Sequence, residues 1–205
     1  MKSALKLGFL ASRNGSGMRA IVNAIETGQL SAEPRILVSN RADAPALAFA
    51  TEHGVPTTVI PTRADPEAAD AALKTALQDA GVELVILSGY LRKLGPETLG
   101  AYAGRVLNIH PALLPRFGGQ GMYGRRVHDA VAAAGESVTG ACVHIVDAEY
   151  DQGPVIASVE VPLAAGDSPA EIERKVTAAE PRLFVETLKR IAVGELSLPG
   201  GTLEG

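Results

Sequence analysis

The feature that most restricts this chain is the alternation of short, almost uninterrupted apolar runs with longer alanine-rich stretches. Five runs stand out: Leu5 to Leu10, Arg35 to Val38, Thr57 to Ile60, Leu84 to Leu87 and Val106 to Ile109. Such runs suit strands buried on both faces, because both rows of side chains then meet another layer. The stretches between them carry helix signals. Asp65-Pro66-Glu67 offers an N-cap with proline at the first helical position, and the pattern runs to Gly81 as a C-cap. Ser168-Pro169-Ala170-Glu171 is a capping box that opens the last long helix. Alternation of this kind predicts an α/β fold: a Rossmann-like, mostly parallel central sheet flanked by helices and joined by right-handed crossovers. After Pro111 the pattern changes. Val138 to Val146 alternates, turns at Asp147 to Gly153 and returns as Val155 to Val161, which predicts an antiparallel hairpin added in the C-terminal half.

Composition narrows the class further. A chain of 205 residues can bury about 70% of its unfolded surface in one compact unit. With 46% hydrophobic and 20% charged residues it is too apolar for a disordered chain. One domain over 1–205 is expected, with a nucleotide-binding half at about 1–105, a catalytic half at about 106–195 and a tail at 196–205. The glycine-rich stretch from Leu198 to Gly205 is expected to be poorly ordered. A net charge of −4 removes the drive for non-specific nucleic-acid or anionic-membrane binding, so no nucleic acid and no membrane are expected as partners. Leu7-Gly8-Phe9-Leu10-Ala11 is too short for a signal sequence, and no apolar run approaches the ~20 residues of a membrane span. Cys142 is the only cysteine and there are four histidines, which excludes a disulfide framework and a cysteine-rich metal site and fits a reducing cytoplasm.

Ligands on such sheets bind beyond the carboxyl ends of the strands. After the first run, Ser12-Arg13-Asn14-Gly15-Ser16-Gly17-Met18-Arg19-Ala20 opens a helix. Backbone N–H groups and the helix dipole make such a loop a phosphate site. Gly15-Ser16-Gly17-Met18-Arg19-Ala20 also fits the dinucleotide pattern, yet the second strand ends in Ser39-Asn40-Arg41 rather than in an acidic residue, and the Walker lysine is absent. Phosphate site, dinucleotide site and simple tight turn stay open on residues alone.

Val106-Leu107-Asn108-Ile109-His110-Pro111-Ala112-Leu113-Leu114-Pro115 is the most informative stretch. In a strand Asn108 and His110 share a face, and Pro111 ends regular pairing. An amide that donates to a developing oxyanion and an imidazole that moves protons near neutral pH then converge at a strand end. Asp151, in Asp147-Ala148-Glu149-Tyr150-Asp151-Gln152-Gly153-Pro154, reads either as the start of a turn or as a carboxylate that orients the histidine and favours its charge. His144 alternates with Cys142 and Val146 and reads as a structural histidine. His128 reads as solvated and His53 as a helix C-terminal residue.

These residues resemble the glycinamide ribonucleotide transformylase (phosphoribosylglycinamide formyltransferase) family of folate-dependent formyltransferases. The resemblance runs from Asn14-Gly15-Ser16 through Ser39-Asn40-Arg41-Ala42-Asp43-Ala44, Gly89-Tyr90-Leu91-Arg92, Asn108-Ile109-His110-Pro111 with Leu113-Leu114-Pro115, Val143-His144 and Asp151-Gln152-Gly153-Pro154-Val155-Ile156 to Gly166-Asp167-Ser168. It implies transfer of a formyl group from 10-formyltetrahydrofolate, a co-substrate, to the amine of 5'-phosphoribosylglycinamide in purine biosynthesis, without a metal. By the same likeness Asn108 and His110 would stabilise the tetrahedral oxyanion and Asp151 would hold His110 protonated. Gly15, Ser16 and Gly17 would hold the substrate phosphate, with Thr177 and Glu180 at the amine end. Leu91, Arg92, Lys93 and Leu94 and the loop of Asp147, Ala148, Glu149, Tyr150 and Asp151 would line the pterin pocket, with Asn108 at its edge. The Leu114–Pro115 bond is expected to be cis. The chain would act on small molecules as a monomer or homodimer.

The chain departs from the family's pattern at several positions. Gly17 stands where many members have asparagine, Pro66 where a folate-contacting arginine is expected with Arg63 nearby, and Thr177 in place of a longer polar side chain. Pro181 inside the last helix predicts a kink or break. Phe117 to Gly124 follows a glycine-rich variant of the family's loop, and by the resemblance it would serve as a lid. Rival readings are formyltetrahydrofolate deformylase and methionyl-tRNA formyltransferase, whose additional domains this length does not accommodate, and a non-catalytic nucleotide-binding module, against which Asn108, His110 and Asp151 speak.

Overall fold

Strand β1 (Leu5–Ala11) alternates its side chains between two cores. Leu5, Leu7, Phe9 and Ala11 pack with Ile21 and Phe184, whereas Leu10 packs with Leu73 and Leu77. The same division recurs in β4 (Leu84–Leu87), with Leu84 and Ile86 in the first core and Val85 and Leu87 in the second. Burial on both faces is why these runs are apolar throughout. The computed structural model describes residues 4–199.

Between and after these strands run α1 (Ser16–Glu26), β2 (Ala32–Ser39), α2 (Pro45–Glu52), β3 (Thr57–Val59), α3 (Pro66–Asp79), α4 (Pro96–Ala101), β5 (Val106–His110), α5 (Arg125–Ala133), β6 (Val138–Ile145), β7 (Val155–Pro162) and α6 (Pro169–Val193). The strands form one sheet in the order β3-β2-β1-β4-β5-β6-β7. It is parallel from β3 to β5, and β6 and β7 are antiparallel. The chain moves from β1 outward to β3 and then returns to β4 on the other side of β1, so the order reverses between β1 and β4. A crevice at the carboxyl end of such a sheet is the expected ligand position.

Two local expectations are modified. Strand β2 starts at Ala32 rather than Arg35 and includes Pro34. This is tolerated because β3 pairs only with Leu37 to Ser39, leaving the proline's outer side without a ladder partner, and because the β1 register shifts between Leu7 and Gly8. Helix α6 does not break at Pro181 and runs 25 residues. Its start is held by the Ser168–Glu171 capping box, its end by Gly194 at φ 78°, and its apolar face by Phe184, Val185, Leu188 and Ile191 in the main core. Proline has no N–H, so the carbonyl of Thr177 lacks its usual helical donor. The expected poorly ordered tail is corrected at its start: Leu198 is buried in the main core, because its apolar side chain reaches a cluster that α6 already closes. The remainder, 200–205, lies outside the described residues. Among the described residues no helix is long and apolar enough to cross a membrane.

Asp65 accepts from the Ala68 N–H and caps α3 as expected. Ser168→Ala removes the equivalent acceptor from α6 and is expected to cost about 1 kcal/mol of stability, seen as a lower urea midpoint with an unchanged slope.

Candidate active site

Ser12 and Ser88 build the floor of the crevice. Directly after β1, the Ser12 N–H donates to the Gly89 carbonyl at 3.1 Å, and the Ser88 N–H donates to the Leu10 carbonyl at 2.8 Å. The buried Ser12 hydroxyl donates to Asn40 Oδ1 at 2.6 Å and accepts from the Leu91 N–H at 2.8 Å. One side chain thus ties the ends of β1, β2 and β4 together. Gly15 enters α1 at φ 65°, a left-handed conformation that glycine adopts without strain. No side chain caps α1. The Met18 N–H donates to Ser88 Oγ at 2.8 Å, leaving the N–H groups of Ser16 and Gly17 at the helix start for an anion. A Cβ on Gly17 would lie 3.3 Å from Ser88 Oγ and 3.4 Å from the Phe184 ring, so α6 packs against the loop here.

That packing places Glu180. It lies one turn before Phe184 and on the same side of α6, toward the glycine loop. Its carboxyl is half-buried, and desolvation pushes it up to about 7. Thr177, a turn earlier, is exposed. Its freed carbonyl and the Glu180 carboxyl are two acceptors about one turn apart in the middle of α6.

The polar centre lies at the end of β5. Antiparallel pairing sets Asn108 opposite His144 and His110 opposite Cys142, and opposite residues share a face with close Cβ atoms. Asn108 Nδ2 lies 3.1 Å from His144 Nε2, and His144 Nδ1 lies 3.1 Å from the Ile145 carbonyl. Because a carbonyl only accepts and an amide nitrogen only donates, His144 carries its hydrogen on Nδ1 and accepts at Nε2. Burial lowers its pKa, in keeping with a neutral ring. The buried His110 places Nε2 2.8 Å from the Phe117 carbonyl and Nδ1 3.5 Å from Asp151 Oδ2. Asp151 Oδ1 also lies 3.5 Å from His144 Nε2, and Oδ2 accepts from the Gly119 N–H at 2.9 Å. Burial lowers the His110 pKa, while Asp151 and the Phe117 carbonyl oppose that change. The fold therefore brings Asn108, His110 and Asp151 together across more than forty residues of chain.

One histidine reading is borne out and one is corrected. His144 is a buried structural histidine, and its partner is Asn108. The hairpin register is the signal that finds it, since alternation with Cys142 already put His144 on one face and only the partner was missing. His128 is buried rather than solvated, because α5 packs against α6, and its Nδ1 has no hydrogen-bond partner. His53 caps α2 as expected and meets Glu26 Oε1 at 2.7 Å.

The two expected pterin-lining loops approach one another through Lys93, whose Nζ lies 5.4 Å from the centre of the Tyr150 ring. Leu91, Arg92, Lys93, Asp147, Ala148, Glu149 and Tyr150 are exposed, and Asp147 Oδ1 accepts from the Glu149 N–H at 2.9 Å. Leu94 differs: its side chain is buried with Leu10, Leu73 and Tyr102, so only its backbone is left to face a ligand. The Leu114–Pro115 bond is cis, as expected.

Comparison with known proteins adds independent findings. The profile of the Formyl transferase family matches residues 5–188. A phosphoribosylglycinamide formyltransferase of Escherichia coli is 36% identical over 92% of this chain and 88% of its own. A chloroplastic phosphoribosylglycinamide formyltransferase of Arabidopsis thaliana is 37% identical over 91% of this chain, which spans just under two thirds (65%) of that relative's length. The crystal structure of glycinamide ribonucleotide transformylase 1 from Symbiobacterium toebii superposes with a TM-score of 0.87 at 34% identity, covering 96% of this chain and 92% of the other.

The raised Glu180 carboxyl makes stability depend on pH. Its folded pKa, about 7, lies above the unfolded value of 4.5, so its proton favours the folded state and that contribution is lost as pH rises through 7. Glu180→Gln is therefore expected to raise the melting temperature relative to the parent at pH 8, with the difference vanishing below pH 4.5, as read by thermal melts across that range.

Proposed function

As the chain belongs to the formyl transferase family, among its phosphoribosylglycinamide formyltransferases, we propose that it transfers a formyl group from 10-formyltetrahydrofolate to the amine of 5'-phosphoribosylglycinamide. The single observation that carries this reading is the convergence of Asn108, His110 and Asp151 at β5, two strands from β1 in the same sheet.

In this reading the N–H groups of Ser16 and Gly17 receive the substrate phosphate, with Gly15 shaping the turn. Backbone donors at a helix start bind an anion without a basic surface. Glu180 and the freed Thr177 carbonyl face the amine end. A carboxyl that titrates near 7 becomes an anion beside an ammonium and so holds the amine in place. The formyl donor, a co-substrate, enters between the backbones of Leu91 to Leu94 and Asp147 to Asp151, where Lys93 on Tyr150 closes one side.

The Glu180 carboxylate takes one proton from the ammonium, the neutral amine attacks the formyl carbon, and the formyl oxygen becomes an oxyanion. Once His110 has given its proton to the departing folate nitrogen, the attacking nitrogen returns its surplus proton to that ring as the intermediate collapses. One Asn108 N–H is engaged by His144, which fixes the amide so that the second points to the oxyanion. The His110 imidazolium adds a second donor and supplies the proton that the departing folate nitrogen needs. The Asp151 carboxylate, 3.5 Å from Nδ1, favours that charged ring against the pull of burial. No step calls on a metal. A reducing, cytoplasmic setting accompanies this reading, on the single free and buried Cys142.

The deciding experiment incubates the protein with 10-formyltetrahydrofolate, with and without phosphoribosylglycinamide, and follows tetrahydrofolate release. Release that requires the amine is expected; release without it would identify a hydrolase and overturn the proposal. Asn108→Ala and His110→Ala are each expected to lower kcat on the order of 10²-fold or more. Asp151→Asn should depress kcat, move its pH profile and leave substrate KM nearly unchanged, and wild-type turnover in any of the three variants would remove that residue from the mechanism.

A further inference from the structure

Among the described residues only two side-chain-bearing residues adopt positive φ, Phe117 at 56° and Asp151 at 55°. Such conformations cost free energy and persist where the surroundings enforce them. Both touch the same ring. The Phe117 carbonyl meets His110 Nε2 and the Asp151 carboxylate faces Nδ1. A second bond closes the loop, because the Gly119 N–H donates to the same Asp151 oxygen that faces His110. Gly118 packs closely here: a Cβ there would lie 2.5 Å from Leu114 Cδ2, which would have to move, and 3.2 Å from Asp151 Cβ, which would have to give by a few tenths of an ångström.

The chemistry of the bonds fixes the ring's hydrogens. A carbonyl accepts only, so Nε2 carries a hydrogen whichever charge the ring has. In a neutral ring Nδ1 would then present a lone pair to a carboxylate. In an imidazolium Nε2 still donates to the Phe117 carbonyl, and Nδ1 carries the second hydrogen 3.5 Å from the carboxylate. The other titratable groups around His110 are His144 and Cys142 on β6 and His128 on α5; charge on His110 disfavours charge on both of these imidazoles, whereas what opposes charge on His110 itself is burial. Only Asp151 and the Phe117 carbonyl favour that charge.

We propose that the Phe117-Gly118-Gly119 segment is a positioning bracket that buttresses His110 at Nε2, turns Nδ1 to Asp151 as the working nitrogen, and fixes Asp151 through the Gly119 N–H. This rests on the formyl-transfer reading for its catalytic meaning, but its effect on the ring is independent of any substrate. The bracket is the first part of the 117–124 loop, so the loop's state sets the charge of a ring it does not otherwise resemble in sequence or position.

Two substitutions disturb it differently. Gly118→Ala pushes the loop from Leu114 and Asp151. Phe117→Pro forbids the positive φ and so moves the carbonyl, whereas Phe117→Gly permits that φ and should retain more of the parent behaviour. Gly100→Ala, at an exposed position on α4 with nothing within 4 Å of the added carbon, is the control. Histidine-labelled protein is titrated by NMR without ligands, and kcat is measured across pH.

The bracket predicts that the His110 pKa and the alkaline limb of kcat both move down by about one pH unit in Gly118→Ala and Phe117→Pro. At pH 8 that lowers kcat about tenfold while KM for both substrates stays within about twofold. Folded variants whose His110 titrates as in the parent would overturn the bracket, even if formyl transfer is confirmed. A shifted titration in a protein that transfers no formyl group would leave the bracket standing and remove the functional reading. If Gly118→Ala does not fold, the contrast between Phe117→Pro and Phe117→Gly decides alone, and equal titration in those two overturns the proposal.

Discussion

The arrangement around β5 turns on the burial of one imidazole. Taking His110 out of water works against its positive form, and a ring that cannot be charged donates from one nitrogen only. The surroundings oppose this with two acceptors, one from each of two loops that are remote in sequence. Neither acceptor would reach the ring without the sheet. β5 delivers the histidine, the β6–β7 turn delivers Asp151, and the loop that follows the cis proline delivers the Phe117 carbonyl. Strand β6 runs antiparallel to β5 and leaves it beside Val106, so the turn that follows folds back along the strand pair to bring Asp151 to both His144 and His110.

The same edge of the sheet gathers the remaining polar groups. The reversal of strand order falls between β1 and β4, and α1 starts just after β1, with the Met18 N–H of its first turn held by Ser88 from the end of β4. Helix α6 reaches the crevice from the other end of the chain, pressing Phe184 against Gly17 and bringing Glu180 with it. Five chain segments thus meet, and each arrives by packing that has its own apolar justification.

Much of this was legible in the residues. The apolar runs of β1, β4 and β5 marked strands because burial between two layers leaves few polar positions, whereas the run from Thr57 to Ile60 gives only the short edge strand β3, Thr57–Val59, which is mostly exposed. The caps of α3 and α6 follow from residues that satisfy helix-end N–H groups at fixed offsets. Asn108 and His110 were legible as a pair because a strand's period of two is rigid. What escaped the reading depended on register and depth. His144 becomes a partner of Asn108 only through the pairing of β5 with β6, and a polar pattern gives no sign that α5 buries His128 against α6. The passage of α6 through Pro181 escaped for a related reason: packing on both sides of the proline outweighs the loss of one hydrogen bond, and local propensity does not register packing. The role of Phe117 was invisible because its carbonyl, rather than its side chain, makes the contact.

Ser12 has a mechanical consequence. Its hydroxyl gives its one hydrogen to Asn40 and accepts from Leu91, while its own N–H goes to Gly89. The rim formed by the ends of β1, β2 and β4 is thereby cross-braced through a buried side chain and yields little at any single strand. Across the crevice, the 117–124 loop and the 147–151 turn are anchored through a few bonds at Asp151 and His110. The two sides are thus tied differently: one by a buried hydroxyl that joins three strand ends, the other by loop groups that converge on a single imidazole.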